Sequence, residues 1–141
     1  MTEQLRRVLG IDWGRRRIGL AVSDELRISV RGLDTLERTN KAADLARIEG
    51  LIRDLGVGLL VVGRPLHMNG KAGGSVSEAE QFGRTLAKRV GLPVRFWDER
   101  LTSVEAERRL RGGRSHSKSA VDRAAAELIL TEFLDTEGAA E

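Results

Sequence analysis

Hydrophobic positions near the start of the chain follow a period of two. In Val8-Leu9-Gly10-Ile11-Asp12, the residues Val8, Gly10 and Asp12 share one face while Leu9 and Ile11 take the other; Ile18-Gly19-Leu20-Ala21-Val22 alternates large with small. With Trp13, Gly14 and the run Arg15-Arg16-Arg17 between them, the two stretches predict a β-hairpin in which Gly14 supplies positive φ for the turn. Asp24-Glu25 predicts a short turn, and residues 27–36 a third, weaker strand that completes an antiparallel meander.

The period then changes to that of a helix. Thr39-Asn40 can cap a helix whose apolar stripe is Ala42, Leu45, Ile48, Leu51, Ile52 and Leu55, closed by Gly56. Leu59-Leu60-Val61-Val62 reads as a strand buried on both faces, as in a parallel sheet. Residues 63–74 form a glycine-punctuated loop too long for a simple connection; Gly70-Lys71 is followed by alanine, so it is not a P-loop. Ser75-x-x-Glu78 has capping-box form and predicts a helix to about Val90, with Phe82 and Leu86 at helical spacing and Gly91 as its end. Residues 93–97 predict a fifth strand running into Asp98-Glu99-Arg100, and Thr102-x-x-Glu105 a further helix broken by Gly112-Gly113. The last helix is expected over residues 117–134, with a small acidic tail, residues 135–141, expected to fray.

Three antiparallel strands followed by alternating helix and strand predict an α/β fold, a mixed sheet covered on both faces by helices. A length of 141 residues suits a single domain, residues 1–141, with a core of its own. No cysteine is present, which excludes a disulfide scaffold, a Cys-ligated metal and a thiol nucleophile. No apolar run approaches the length of a membrane span and residues 1–7 do not resemble a signal peptide, so a cytoplasmic protein is expected.

Net charge is only +3, yet the arginines cluster. Arg108, Arg109, Arg111, Arg114, His116 and Lys118 fall in one stretch that contains no acid, a pattern suited to phosphate and so to nucleic acid. Arg15, Arg16 and Arg17 on the hairpin turn, Arg64 and Lys71 of the glycine loop, and Arg100 join them as candidate nucleic-acid contacts. Tyrosine is absent, which argues against a stacking platform for single strands. His67 and His116 lie on separate predicted loops without triad spacing, so His-activated serine catalysis fits poorly.

Three carboxylates are predicted to converge. Asp12 ends the first strand and Asp98-Glu99 the last, and the carboxyl ends of parallel strands form one ligand-binding edge. If the strand persists, only one of Asp98 and Glu99 can face that site, and Glu99 has the longer reach. Asp122 shares a stripe with Ala126, Ile129 and Phe133, at offsets of four, seven and eleven, which turns it toward the core. Inward carboxylates in such numbers call for a cation, and hard oxygen donors suit Mg2+ or Mn2+. Two such ions about 3.5–4 Å apart would serve phosphodiester hydrolysis.

The combination of Gly10-Ile11-Asp12-x-Gly14-x-x-Arg17-Ile18-Gly19-x-Ala21, Gly63-x-Pro65-Leu66-x-Met68-x-Gly70, Asp98-Glu99-Arg100-Leu101-Thr102-Ser103 and Asp122-x-x-Ala125-Ala126 resembles the YqgF/RuvX family of Holliday-junction-resolvase-like nucleases, over residues 8–134. The resemblance implies an RNase H-like fold, with a five-stranded mixed sheet of order 3-2-1-4-5. It also implies a cytoplasmic bacterial nuclease acting in 5′-end maturation of the small-subunit ribosomal RNA precursor, with related members acting on DNA junctions. Carried over position by position, Asp12, Glu99 and Asp122 would be the catalytic, metal-binding acids, with Mg2+ or Mn2+ as cofactor. Ala125 and Ala126 stand one turn beyond Asp122 and Glu127 is the nearest carboxylate, so Lys118 is a candidate for part of the electrostatic role of a fourth acid. The partner implied is nucleic acid, bound by a monomer or a homodimer.

Two other classes compete. An ATP-binding module of the actin-like type also opens on a Gly-x-Asp-x-Gly hairpin, but it needs two facing domains, and this chain has room for one. A non-catalytic RNA-binding ribosome-assembly factor would keep the fold without the chemistry.

Overall fold

The computed structural model describes residues 6–64, 74–98 and 118–140. Strand β1 (Arg7–Trp13) pairs antiparallel with β2 (Arg17–Ser23), as the alternation predicts. The turn between them depends on Gly14 for a different reason from the one expected. Its φ is not positive, and a Cβ there would lie 2.6 Å from the Arg17 carbonyl oxygen.

The expected third strand is divided into β3 (Val30–Gly32) and β4 (Leu36–Glu37), both antiparallel to β2. It starts late because the Asp24 carboxylate accepts the backbone N–H groups of Ile28 at 2.7 Å and Ser29 at 2.9 Å, closing a loop in which Arg27 takes φ 61°.

Helix α1 (Lys41–Leu55) is capped by the Asn40 side chain, which accepts from the Ala43 N–H at 2.9 Å, and ends on Gly56 at φ 69°. Its buried stripe is Asp44, Leu45, Ile48 and Ile52; Ala42, expected in the stripe, is exposed. Strand β5 (Val57–Arg64) then runs parallel to β1 and to β6 (Val94–Asp98). Helix α2 (Gly74–Val90) connects β5 with β6, and Gly91 at φ 70° ends it. It begins at Gly74, ahead of the expected Ser75 cap. The last helix, α3 (Lys118–Ala140), outruns the predicted end at Leu134. Residues 135–140, expected as a fraying tail, continue the helix, aided by an Arg95–Glu137 ion pair at 3.6 Å. The predicted helix from Thr102 lies outside the described residues.

The sheet order is β3-β2-β1-β5-β6, with β4 beside β2, and this is the predicted 3-2-1-4-5 arrangement with its third strand in two pieces. One face packs Leu9, Ile11, Ile18, Leu20, Leu60 and Val62 against α1 and α2. The other packs Val8, Ala21 and Val61 against Ala126, Ile129, Leu130 and Phe133 of α3. Small residues on this second face let the helix approach the strand backbone: a Cβ on Gly10 would lie 2.9 Å from Leu130 Cβ, and one on Gly19 would run into the Asp122 carbonyl.

Gly19→Ala is therefore expected to cost about 1–3 kcal/mol of stability, because backbone on both sides has to shift. Denaturant unfolding measures this, and unchanged stability would contradict the seating of α3 on β2. The Asp24 carboxyl is held below its ordinary 3.8, chiefly by the Ser29 N–H and further by that of Ile28, against an opposing effect of desolvation. Its folded value lies below its unfolded one, so its contribution is complete above the unfolded value and is lost as pH falls through the folded one. The Ile28 and Ser29 amide NMR shifts should titrate together with a midpoint below 3.8, and a higher midpoint would refute the bonding.

Candidate active site

Asp12 lies near the C-terminal end of β1, opposite Gly19 on β2 and beside Gly63 on β5; Gly63 in turn neighbours Trp97 on β6. The row Gly19, Asp12, Gly63 and Trp97 faces α3. Asp12 is only 6% exposed, and its partner on each neighbouring strand is a glycine.

Helix α3 brings Asp122 to the same edge. The Asp122 backbone sits on Gly19, the cross-strand partner of Asp12. The Asp122 side chain turns to Arg17, two residues before Gly19 on the same face of β2, and its Oδ2 accepts from Arg17 Nε at 3.0 Å. Both side chains are 21% exposed. Below Asp122, the expected stripe of Ala126, Ile129 and Phe133 is buried.

The strand register separates the adjacent acids of β6. Asp98 neighbours Arg64 and lies on the face opposite Trp97, where its Oδ1 pairs with an Arg64 guanidinium nitrogen at 2.7 Å. The same guanidinium donates to Glu80 of α2 at 2.9 Å and lies 5.8 Å from the Phe96 ring centre. Burial alone would pull the Arg64 pKa down, but Glu80 and Asp98 together raise it above its ordinary value. Asp98 is thus engaged away from Asp12. Glu99 lies outside the described residues.

Of the basic residues predicted to contact nucleic acid, Arg15 and Arg16 are exposed on the hairpin turn, and Arg15 reaches Glu78 at 3.4 Å. Arg17 and Arg64 are engaged by the carboxylates described above. Lys118 opens α3. Lys71, Arg100, Arg111, Arg114 and His116 lie outside the described residues. Glu127 is directed elsewhere: its Oε1 lies over Gly32 of β3, two strands from Asp12.

Arg38 is a residue that the sequence does not single out. Its backbone N–H donates to the Arg16 carbonyl at 2.9 Å, and its guanidinium donates to the Arg15 carbonyl at 3.3 Å and to the fully buried Asp44 at 3.0 Å. The guanidinium carbon also stands 4.8 Å from the Trp13 ring centre. Arg38 thereby fastens the turn that follows Asp12.

Among the described residues, no three Asp, Glu, His or Cys side chains converge as a metal site. Asp12 and Asp122 supply hard oxygen donors at one edge, with a guanidinium as the present counter-charge. Such a donor set fits a hard divalent cation.

The sheet order, the change from antiparallel to parallel pairing and the helices on both faces define an RNase H-like fold. The same fold appears in Thermus thermophilus RuvC, solved in complex with a Holliday junction substrate, at a TM-score of 0.64 and 18% identity over 94% of this chain and 96% of that one. Residues 6–136 match the family described as RuvX, Holliday junction resolvase. A protein of Koribacter versatilis named "Putative pre-16S rRNA nuclease" is 47% identical over 94% of this chain and 88% of its own length. One of Moorella thermoacetica with the same name is 44% identical over 94% and 96%. The chain belongs to the RuvX family.

Arg64→Gln should leave Glu80 and Asp98 facing each other without their shared cation. A loss of about 1–2 kcal/mol in unfolding stability is expected for these partly buried groups. A variant as stable as the parent would show that the Arg64 pairs contribute nothing.

Proposed function

We propose that the chain is a metal-dependent nuclease that hydrolyses phosphodiester bonds of the small-subunit ribosomal RNA precursor in 5′-end maturation. Asp12, Glu99 and Asp122 are its metal-binding acids in this reading, and Mg2+ or Mn2+ its cofactor. The observation that carries it is the buried Asp12 in its glycine-flanked position, with Asp122 brought by α3 to the neighbouring strand. Asp98 is turned toward Arg64 and away from Asp12, which supports Glu99 rather than Asp98 as the third acid of this reading. The names of relatives 44–47% identical over nearly the whole chain support RNA as substrate.

In this mechanism Asp12, Glu99 and Asp122 would hold the cation. When bound, it would supply an activated water and stabilise the leaving oxygen of the phosphodiester. Arg15 and Arg16, exposed on the turn that Arg38 fastens, bind and orient phosphates next to the acids. No side chain acts as a covalent nucleophile. Among the described residues no helix is long and apolar enough to cross a membrane.

The test is cleavage of end-labelled precursor RNA, single-stranded DNA and a four-way DNA junction with Mg2+, Mn2+ or chelator. Metal-dependent cutting of RNA is expected, with Asp12→Asn lowering it by about a hundredfold or more, beyond the usual effect of losing an outer-shell metal partner. Cutting of the junction alone would move the substrate to branched DNA. Wild type and Asp12→Asn equally inert, with both binding RNA, would favour a non-catalytic assembly factor.

A further inference from the structure

We propose that Arg17 is a positioning residue acting as a displaceable counter-ion for Asp122: a divalent cation takes over the carboxylate, and the released guanidinium turns to a phosphate of the bound strand. The inference rests on the metal-dependent reading above and deepens it.

Arg17, Arg38 and Arg64 pair with acids near this end of the sheet, and they differ in how they are held. Arg38 bridges the fully buried Asp44, the Arg15 carbonyl and the Trp13 ring. Arg64 bridges two carboxylates beside the Phe96 ring. Among the described residues, the Arg17 side chain has one partner, Asp122, with both groups about one-fifth exposed. Arg38 has two further contacts and Arg64 a second carboxylate, whereas a single charge pair holds the Arg17 guanidinium, so a divalent cation can displace it. Asp122 is at the same time anchored by its backbone on Gly19, so losing Arg17 does not carry the carboxylate away from the edge. Arg17 follows directly on exposed Arg15 and Arg16, which places a freed guanidinium at the end of a basic turn facing solvent.

A merely structural Arg17 and a counter-ion Arg17 predict opposite signs. If the residue only orients Asp122, removing it loosens a ligand and weakens cation binding. If it competes with the cation, removing it tightens binding.

The experiment is Mn2+ binding to the full chain without nucleic acid, read as free ion by electron paramagnetic resonance. Arg17→Gln is expected to bind Mn2+ about three- to tenfold more tightly than wild type. Arg17→Lys, which keeps the charge, should stay close to wild type. In an Asp122→Asn background the tightening from Arg17→Gln should vanish, which isolates the pair from the general effect of removing a positive charge. Equal or weaker Mn2+ binding by Arg17→Gln, or tightening undiminished in Asp122→Asn, would overturn the proposal. Asp12→Asn and Asp122→Asn alone separate its failure from that of its parent reading. If both weaken Mn2+ binding but Arg17→Gln does not tighten it, only the counter-ion role falls. If neither weakens it, the metal site and the counter-ion role fall together.

Discussion

At Gly10 and Gly19 helix α3 rests on bare strand backbone, and the candidate site depends on that contact. Gly10 and Gly19 leave no side chains between strand and helix, so Leu130 and the Asp122 backbone come down onto β1 and β2. An ordinary helix-on-sheet contact, with side chains on both surfaces, would hold the helix farther away. Close approach of the backbones places an acid from the end of the chain next to one from its first strand. The apolar residues farther along α3, from Ala126 to Phe133, fix the helix in that position by burial rather than by charge.

Charge enters as matched pairs around this frame. Asp44, Asp98 and Asp122 each meet an arginine, and the surroundings decide what the pair does. A fully buried carboxylate such as Asp44 would be very costly without Arg38 and the Thr39 N–H, which donates to it at 3.1 Å. That need makes the α1 start and the hairpin turn one unit. Among the described residues the Arg17–Asp122 pair stands alone, with no second acid on the guanidinium, which leaves Asp122 available for chemistry.

Much of this was legible in the sequence because local patterns carried it. The period of two located the hairpin, Asn40 and Gly56 bounded α1, and an unbroken apolar run marked β5 as parallel. The inward face of Asp122 followed from its spacing to Ala126, Ile129 and Phe133. What stayed hidden is what other contacts decide. Arg17 looked like one member of a basic cluster, but its partner lies 105 residues away, beyond the reach of any local pattern. The two acids that hold Arg64 were hidden for the same reason. Gly14 was assigned to positive φ, whereas the Arg17 carbonyl demands the missing side chain. The third strand looked continuous because its composition is strand-like, while the Asp24 carboxylate captures the N–H groups that would have begun it.

The Arg64–Asp98 pair has a consequence for how the edge of the sheet is assembled. Among the described residues strand β6 pairs with β5 alone, so its alignment rests on one ladder. A slip of one residue would exchange its two faces, withdrawing Trp97 from Phe133 and carrying Asp98 round toward Asp12. Arg64, held from the other side by Glu80, recognises Asp98 in only one of these alignments. The guanidinium therefore favours the register in which Asp98 lies on the face opposite Trp97.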